Sequence, residues 1–296
     1  MKILRSLSEI DSSVPHAVTL GKFDGLHTAH AELITKTAAR ARQLGIPSLV
    51  CSFDISPRGI LSWEEKAEMA GAFGADILLR CPFDEKMITT EAEDFLRHVL
   101  AGTMHAVYVC VGEDFRFGHG RHGDAAMIAD SGLFGSDVIP QRQIGGQTIS
   151  STAVRTYLDG GQVEKANEML GYRYFLSGSV VHGRHLGHSL GFPTLNVLPP
   201  EDKWLPAFGV YTSVTQIGEK AFPGITNIGI KPTVDGTFAG AETHLLGFDG
   251  DLYGAFVRTE LLHYIRPEVK FPDTDTLKKQ LTEDKEEGCA YFKLLT

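Results

Sequence analysis

Several features that mark specialised classes of protein are scarce in this chain of 296 residues. No stretch approaches the length of a membrane span, and the first residues lack the long apolar region of a signal peptide. The four cysteines are widely spaced and form no CxxC pair: Cys51, Cys81, Cys110 and Cys289. Three of them lie in apolar runs that predict strands, so we expect buried thiols rather than a disulfide framework. This pattern favours a reducing compartment and a cytoplasmic protein.

Positive charge is scarce as well. The chain has 28 lysines and arginines against 37 acidic residues, which gives a net charge of -9 at pH 7. A general nucleic-acid binder would need a basic face, so we expect neither nucleic acid nor a membrane as partner. Anionic small molecules would have to be bound by local groups, such as helix N-termini, single arginines or a metal ion. The sequence leaves the oligomeric state open.

What is present is an ordinary apolar content of 43%, in a chain long enough for two domains. Up to about residue 150, predicted strands alternate with predicted helices, which favours a parallel sheet with helices on both faces. After Tyr172 the pattern changes to short strands between Gly and Pro turns, which is typical of an antiparallel barrel or sandwich. A helix over residues 274–287 follows. We place the domain boundary between residues 171 and 172.

Residues 21–30 (GKFDGLHTAH) are the most informative segment of the first half. They connect a predicted buried strand over residues 17–20 to a predicted helix over residues 31–44, with His27 and His30 three apart in its first turn. A helix N-terminus offers unpaired N–H groups and the positive end of the helix dipole, so it binds anions. We infer a nucleotide phosphate held between the two rings. The alternatives are two solvated histidines at a helix start, or a chance metal pair.

Two further segments lie close to predicted helix or strand ends. Residues 112–118 (GEDFRFG) follow an apolar strand, and residues 149–155 (ISSTAVR) open a helix. Ser151 and Thr152 are compatible with a simple helix cap. Arg155, one turn into that helix, could reach a phosphate whose other oxygens meet the Ser151 and Thr152 N–H groups.

The second half carries its own ordered series of motifs: GSVVHG at 178–183, LGFPTLN at 190–196, FGVY at 208–211, NIG at 227–229, AETHLL at 241–246 and IRPE at 265–268. With the first-half segments, they make nearly the whole chain resemble the bacterial bifunctional riboflavin kinase/FAD synthetase family. The first half is similar to the nucleotidylyltransferase superfamily. Ala29 stands where the usual HxGH motif has glycine. Residues 53–58 lack the histidine that many relatives have before the proline, so no phosphate contact is assigned there.

The resemblance implies a Rossmann-like nucleotidylyltransferase domain over residues 1–171, in which FMN attacks the α-phosphorus of ATP and pyrophosphate leaves. His27 and His30 would stabilise the charged phosphate oxygens. A structural turn role for Asp24 is equally open. The nucleotide-binding residues that the resemblance implies are Gly21, Phe23, Asp24, Gly25, Asp114, Ser151, Thr152 and Arg155.

For residues 172–296 the resemblance implies a riboflavin kinase barrel. Thr194 and Asn196 would hold Mg²⁺ shared with the ATP phosphates, because a hydroxyl and an amide oxygen are hard ligands. Glu242 would be the general base for the ribityl hydroxyl of riboflavin. Arg266 is the implied flavin or phosphate contact. The implied nucleotide and flap residues are Gly183, His188, Gly191 and Pro193.

Two alternatives remain at this point. The chain could be a riboflavin kinase with an inactive N-terminal domain, which only Ala29 and residues 53–58 support. It could also be a non-catalytic flavin-binding protein, although mere binding needs no base at Glu242. A zinc site at His182, His185 and His188 is disfavoured, because a glycine-interrupted loop is not pre-organised for a metal. The expected substrates are ATP, riboflavin and FMN, and the expected product is FAD.

Overall fold

The computed structural model describes residues 1–182, 192–233 and 236–294, with the side chains of 54 and 231–238 left aside. The chain divides into two compact units, residues 1–151 and 152–296. The first unit is an α/β unit and the second contains a closed barrel, which confirms the predicted fold class. The helices of residues 152–170 are grouped with the second unit, and the boundary after residue 171 stays a prediction.

The first unit is built on a parallel sheet of six strands in the order β1-β4-β3-β2-β5-β8. Two small antiparallel ribbons, β6–β7 and β9–β10, lie outside this sheet. The strands are β1 (Lys2–Leu4), β2 (His16–Gly21), β3 (Ser48–Asp54), β4 (Ile77–Pro82), β5 (Ala106–Gly112), β6 (Arg116–Phe117), β7 (Gly123–Asp124), β8 (Gly135–Ile139), β9 (Gln143–Ile144) and β10 (Gln147–Thr148). The helices are α1 (Thr28–Leu44), α2 (Trp63–Ala72), α3 (Glu85–Thr89), α4 (Ala92–Asp94), a π-helix (Phe95–Thr103) and α5 (Ala125–Asp130).

The core of this unit lies on the faces of the sheet. Aliphatic side chains of the central strands are fully buried, for example those of Val18, Leu49 and Val109. Because all neighbouring strands are parallel, their carboxyl ends meet at one edge of the sheet. The loop after β2 and the loop after β5 therefore lie at the same edge. This places two of the motif segments of the first half together.

The barrel of the second unit closes in the order β11-β12-β15-β14-β13-β16, and every neighbouring pair is antiparallel. Closure leaves no unpaired sheet edge. The strands are β11 (Phe175–Val181), β12 (Thr194–Leu198), β13 (Gly209–Ile217), β14 (Lys220–Thr233), β15 (Gly236–Leu245) and β16 (Phe256–Pro267). The helices of this part of the chain are α6 (Ser151–Asp159), α7 (Val163–Leu170) and α8 (Thr274–Leu294).

Helix α8 packs on the outside of the barrel over β13 and β14. Gly288 lies so close to β14 that an added Cβ atom would collide with Ile225 Cδ1. The helix runs to Leu294, further than the predicted residue 287. It buries Asp284, which is 2% exposed, against the barrel. The helix therefore covers the barrel face to which Ile225 points.

Candidate functional sites

The loop between β2 and α1 has an unusual backbone. Phe23, Gly25 and Leu26 have φ angles of +47°, +76° and +43°, and a non-glycine residue in this region costs of the order of 1–3 kcal/mol. The loop is held by the Asp24 carboxylate, which accepts the Ile60 N–H at 2.7 Å. Ser151 Oγ donates to the Asp24 carbonyl oxygen at 2.8 Å. Asp24 therefore has a structural turn contact, and Ser151 lies against the same loop.

His27 and His30 lie side by side at the start of α1, with ring centroids 3.7 Å apart and planes inclined by 13°. The helix begins at Thr28, three residues before the predicted start, because His27 Nδ1 caps it by accepting the His30 backbone N–H at 3.3 Å. An accepting Nδ1 places the proton of a neutral His27 ring on Nε2, which can then donate. His30 Nδ1 is buried and has no hydrogen-bond partner within the described part of the chain.

Burial sets the charge of this histidine pair. It lowers the pKa of His27 to about 4, although the carboxylates of Asp24 and Asp114 act in the opposite direction. Burial likewise lowers the pKa of His30, and repulsion from Lys66, and from His27 whenever that ring is protonated, lowers it further. Both rings are therefore neutral at pH 7. They can act on a phosphate as N–H donors rather than as cations.

Asp114 follows β5, and its charge reaches His27 across the edge of the sheet. The structure thus brings together the loop after β2, the start of α1 and the loop after β5. Gly21 lies at the end of β2, where an added Cβ would contact the Phe23 ring at 3.4 Å. Phe23 in turn lies 5.1 Å from the His30 ring, measured between centroids.

Lys66 of α2 is a site residue that sequence reasoning missed. Its Nζ donates to the carbonyl oxygen of Lys22, the residue after β2, at 3.3 Å, and to Oγ of Ser52, which lies within β3, at 3.1 Å. It therefore places a permanent positive charge near His30. Nothing local marks Lys66, since it belongs to a different helix and reaches this edge only through the tertiary fold.

Thr152 and Arg155 belong to the second unit. The Arg155 guanidinium lies over the Trp204 ring, 4.2 Å from its centroid. This is a cation–π geometry, and it positions the side chain within its own unit. The predicted phosphate contacts of Thr152 and Arg155 stay predictions.

In the barrel, Thr194 and Asn196 of β12 lie beside Glu242 of β15. Asn196 and Glu242 are directly opposite each other in the ladder, so their side chains share a face. Thr194 Oγ1 donates a hydrogen bond to Glu242 Oε1 at 2.8 Å. Thr194 and Asn196, from the LGFPTLN segment, and Glu242, from the AETHLL segment, are therefore neighbours.

These side chains present a donor set that suits Mg²⁺. Because the Thr194 hydroxyl gives its proton to Glu242, its lone pairs remain for a cation, and the Asn196 amide oxygen is a second hard ligand. Magnesium characteristically combines few protein oxygens with those of bound phosphates. Among the residues described, no group of three or more His, Cys, Asp or Glu side chains could hold a metal ion.

His244 was also missed by sequence reasoning. Its Nδ1–H donates to the Pro193 carbonyl oxygen at 2.9 Å, and its ring meets that of Phe192 edge to face at 5.3 Å. Burial lowers the pKa of His244, so the ring is neutral at pH 7. The hydrogen bond from His244 holds the backbone of Pro193, the residue before Thr194, in position. The other predicted flap residues, Gly183, His188 and Gly191, as well as His185, lie outside the described residues.

Arg266 is engaged with helix α8. Its Nε and Nη2 donate to the two carboxylate oxygens of Asp284 at 2.7 and 2.6 Å. Nη1 donates to the Pro267 carbonyl oxygen at 3.1 Å. The observed contacts of Arg266 are therefore structural, and its predicted contact with flavin or phosphate stays a prediction.

Comparison with protein-family models gives two matches that together cover most of the chain. Residues 9–153 match the family described as FAD synthetase. Residues 170–292 match the family described as riboflavin kinase. The stacked histidines lie in the first matched segment, and Thr194, Asn196 and Glu242 lie in the second.

Several curated proteins are similar over nearly their whole length. Proteins of Escherichia coli K12 and Haemophilus influenzae are 34% and 32% identical, over 99% of both chains in each case. A protein of Listeria monocytogenes is 30% identical, over 96% of this chain and 95% of its own. All three are named bifunctional riboflavin kinase/FMN adenylyltransferase.

A solved structure from Streptococcus pneumoniae is similar along the chain, with a TM-score of 0.85 and 28% identity. The match covers 96% of this chain and 97% of that one. That protein is called a macrolide-efflux protein. In the chain studied here, no helix within the described ranges has the length and apolar character needed to cross a membrane.

Proposed function

The chain belongs to the family of bifunctional riboflavin kinases/FMN adenylyltransferases, and on this premise we propose which residues carry its two reactions. It phosphorylates riboflavin to FMN with ATP, and it adenylylates FMN to FAD with release of pyrophosphate. We assign the first reaction to the barrel and the second to the α/β unit, since each unit has its own cluster of polar side chains. We keep the predicted boundary between residues 171 and 172 for the two functional domains.

In the α/β unit, a phosphate oxygen of FMN attacks the α-phosphorus of ATP, and the bond to pyrophosphate breaks. Such transfers need positioning and charge stabilisation rather than a covalent intermediate. His27 donates from Nε2 beside the stacked ring of His30, and the charge of Lys66 acts on His30. The loop residues Gly21, Phe23, Asp24 and Gly25 shape the approach of the nucleotide, together with Asp114 and Ser151. The phosphate contacts of Thr152 and Arg155 stay predictions from the family resemblance.

In the barrel, Glu242 accepts the proton of the terminal ribityl hydroxyl as that oxygen bonds to the γ-phosphorus of ATP and ADP leaves. Thr194 holds the carboxylate of Glu242 in place through the 2.8 Å hydrogen bond. We propose that Thr194 and Asn196 hold Mg²⁺, which when bound offsets the charge of the ATP phosphates. The nucleotide role of Pro193 and the flavin contact of Arg266 stay proposals from the family resemblance, as do the flap roles of Gly183, His188 and Gly191, which lie outside the described residues.

The Thr194–Glu242 hydrogen bond is the observation that carries this assignment, because it joins the proposed metal ligands to the proposed base. The test is a flavin chromatogram of the purified protein after incubation with riboflavin and Mg-ATP, which should contain both FMN and FAD. Glu242→Gln should lower the rate of FMN formation by about 10²–10⁴-fold while added FMN is still converted to FAD.

His27→Ala should have the opposite effect and lower the rate of FAD formation by about 10²–10³-fold, with FMN still accumulating. Thermal unfolding of each variant checks that it is folded. If either substitution abolished both activities in a folded protein, the assignment of one reaction to each unit would be wrong. We also propose the cytoplasm as the compartment, since all four cysteines are free thiols.

A further inference from the structure

Asn227 of β14 holds a polar atom that the fold leaves unpaired. Its side-chain oxygen Oδ1 is buried and makes no hydrogen bond with any residue in the described ranges. Buried acceptors are normally paired, because an unpaired one loses its hydration without compensation. The residue as a whole is partly exposed, so it lies at the border between the core and the surface. The described part of the chain therefore offers this acceptor no donor.

The position of Asn227 in the barrel shows what such a donor would be near. Asn227 is directly opposite Glu242 of β15, and Glu242 is directly opposite Asn196 of β12. Residues opposite each other in a ladder project to the same face, with neighbouring strands about 5 Å apart. The proposed base is therefore flanked by Asn196 on one side and by Asn227 on the other.

The two sides of Glu242 differ in their neighbours. On the β12 side, Thr194 Oγ1 already donates to Glu242 Oε1. On the β14 side, Ile225 lies two residues before Asn227 on the same face and packs beneath Gly288 of α8. Two residues after Asn227, the carboxylate of Glu268 lies over Gly229, and it is itself an acceptor. Neither neighbour along β14 can donate to Asn227 Oδ1.

We propose that Asn227 Oδ1 accepts a hydrogen bond from the ribityl hydroxyl adjacent to the one that Glu242 deprotonates. This inference rests on the proposed function of the barrel. In phosphoryl transfer the attacking oxygen lies between the general base and the phosphorus, and the carbon chain of the alcohol extends away from the phosphate. The proposed ligands of ATP and Mg²⁺ lie on the β12 side, so we place the rest of the polyol chain on the β14 side. Its next hydroxyl supplies the donor that Asn227 lacks, and Asn227 is a specificity-determining residue for the polyol chain.

The test compares riboflavin with an analogue whose ribityl chain lacks the 4′-hydroxyl, as substrates for phosphorylation. The wild-type protein should prefer riboflavin by roughly tenfold or more in kcat/KM, because the analogue leaves the buried amide oxygen unpaired. In Asn227→Ala the kcat/KM for riboflavin should fall and the preference should disappear. A variant that keeps the wild-type preference would overturn the proposal, and so would a wild type that uses both compounds equally.

Asn167→Ala is the matched control. The Asn167 amide is satisfied at both ends, by the Tyr174 N–H at 2.6 Å and the Leu261 carbonyl at 3.0 Å. Its removal should lower thermal stability and leave the preference for riboflavin intact. If Asn227→Ala does not fold, the same comparison of riboflavin with the analogue is made with Asn227→Ser, and the wild-type preference for riboflavin is the second measurement. A wild type that makes no FMN at all contradicts the proposed function, whereas one that makes FMN without discrimination contradicts only this inference.

Discussion

At the scale of single residues, burial decides which chemistry the histidine pair can perform. A protonated imidazole would attract phosphate more strongly, but the pKa of His27 is lowered to about 4 by burial. The backbone hydrogen bond to its Nδ1 then determines the tautomer and leaves Nε2–H as the donor. The permanent positive charge near the pair comes instead from Lys66, whose Nζ is held by Lys22 and Ser52.

The neutrality of His27 can be measured directly. In the free protein, the ring resonances of His27 should show no inflection near pH 6.5 and should begin to shift only toward about pH 4, because burial disfavours the charged ring. NMR of protein with labelled histidine gives the titration curve, and the signal that His27→Gln removes identifies the residue. An inflection close to pH 6.5 would show that the ring is solvated and would contradict the proposed donor role.

Candidate site residues that belong to sequence motifs could be predicted, whereas residues that reach the sites only through the tertiary fold were missed. His27 and His30 stand at a predicted helix start, whose residue types indicate phosphate binding, while the roles of Thr194, Asn196 and Glu242 came from the family resemblance of their segments. Lys66 and His244 contact groups that are distant along the chain: Lys22 and Ser52 for Lys66, and the Pro193 carbonyl oxygen for His244. The unpaired amide oxygen of Asn227 depends on burial by neighbouring elements, which no local pattern encodes.

At the scale of secondary structure, helix α8 is joined to the barrel by a buried ion pair. Asp284 is 2% exposed and accepts two hydrogen bonds from Arg266 of β16. Gln280, one turn earlier in the helix, donates to the same carboxylate at 3.1 Å. A buried charge with three donors is stable only while its partners remain, so this pair fixes the position of the helix on the barrel.

Removal of the carboxylate should therefore be costly. Asp284→Ala leaves the Arg266 guanidinium without its partner and should destabilise the barrel unit by about 3–5 kcal/mol. The control is Glu283→Ala on the same helix, where the carboxylate is exposed and lies 3.9 Å from Lys279 Nζ. That change should cost less than about 1 kcal/mol. Denaturant unfolding of the two variants measures the difference, and similar losses would show that the Arg266–Asp284 pair does not hold the helix.

The lengths of the barrel strands show where local signals give way to tertiary structure. Gly and Pro residues predicted short strands with frequent turns, whereas β14 extends over Lys220–Thr233. Pro223 lies within it, opposite Val214, and Gly229 lies opposite Gly240. Closure of the barrel supplies partners on both sides of the strand, and this outweighs the tendency of these residues to end it. The alternation of the first unit, by contrast, predicted its architecture correctly.

At the scale of the whole molecule, the two units differ in the buried histidines that they contain. Burial lowers the pKa of His16, His27 and His30, all in the first unit. In the second unit, burial lowers the pKa of His244. A histidine that is kept neutral in the folded state links folding to pH, since it takes up a proton more readily once unfolded.

The α/β unit should therefore be the more acid-sensitive of the two. Below about pH 6.5 the unfolded chain binds protons that the folded unit excludes, so stability present above that pH is lost as the pH falls toward 4. His27 alone accounts for up to about 3 kcal/mol of this loss.

The test heats samples at pH 7.5 and at pH 5.5 and then assays both activities at pH 7.5. Between the two pH values, we expect the temperature of half-inactivation to fall more for FAD formation from FMN than for FMN formation from riboflavin. His98→Gln, which changes a side chain that is 77% exposed, should leave this difference unchanged. Equal losses of the two activities, or earlier loss of the kinase, would show that the buried histidines do not govern acid stability.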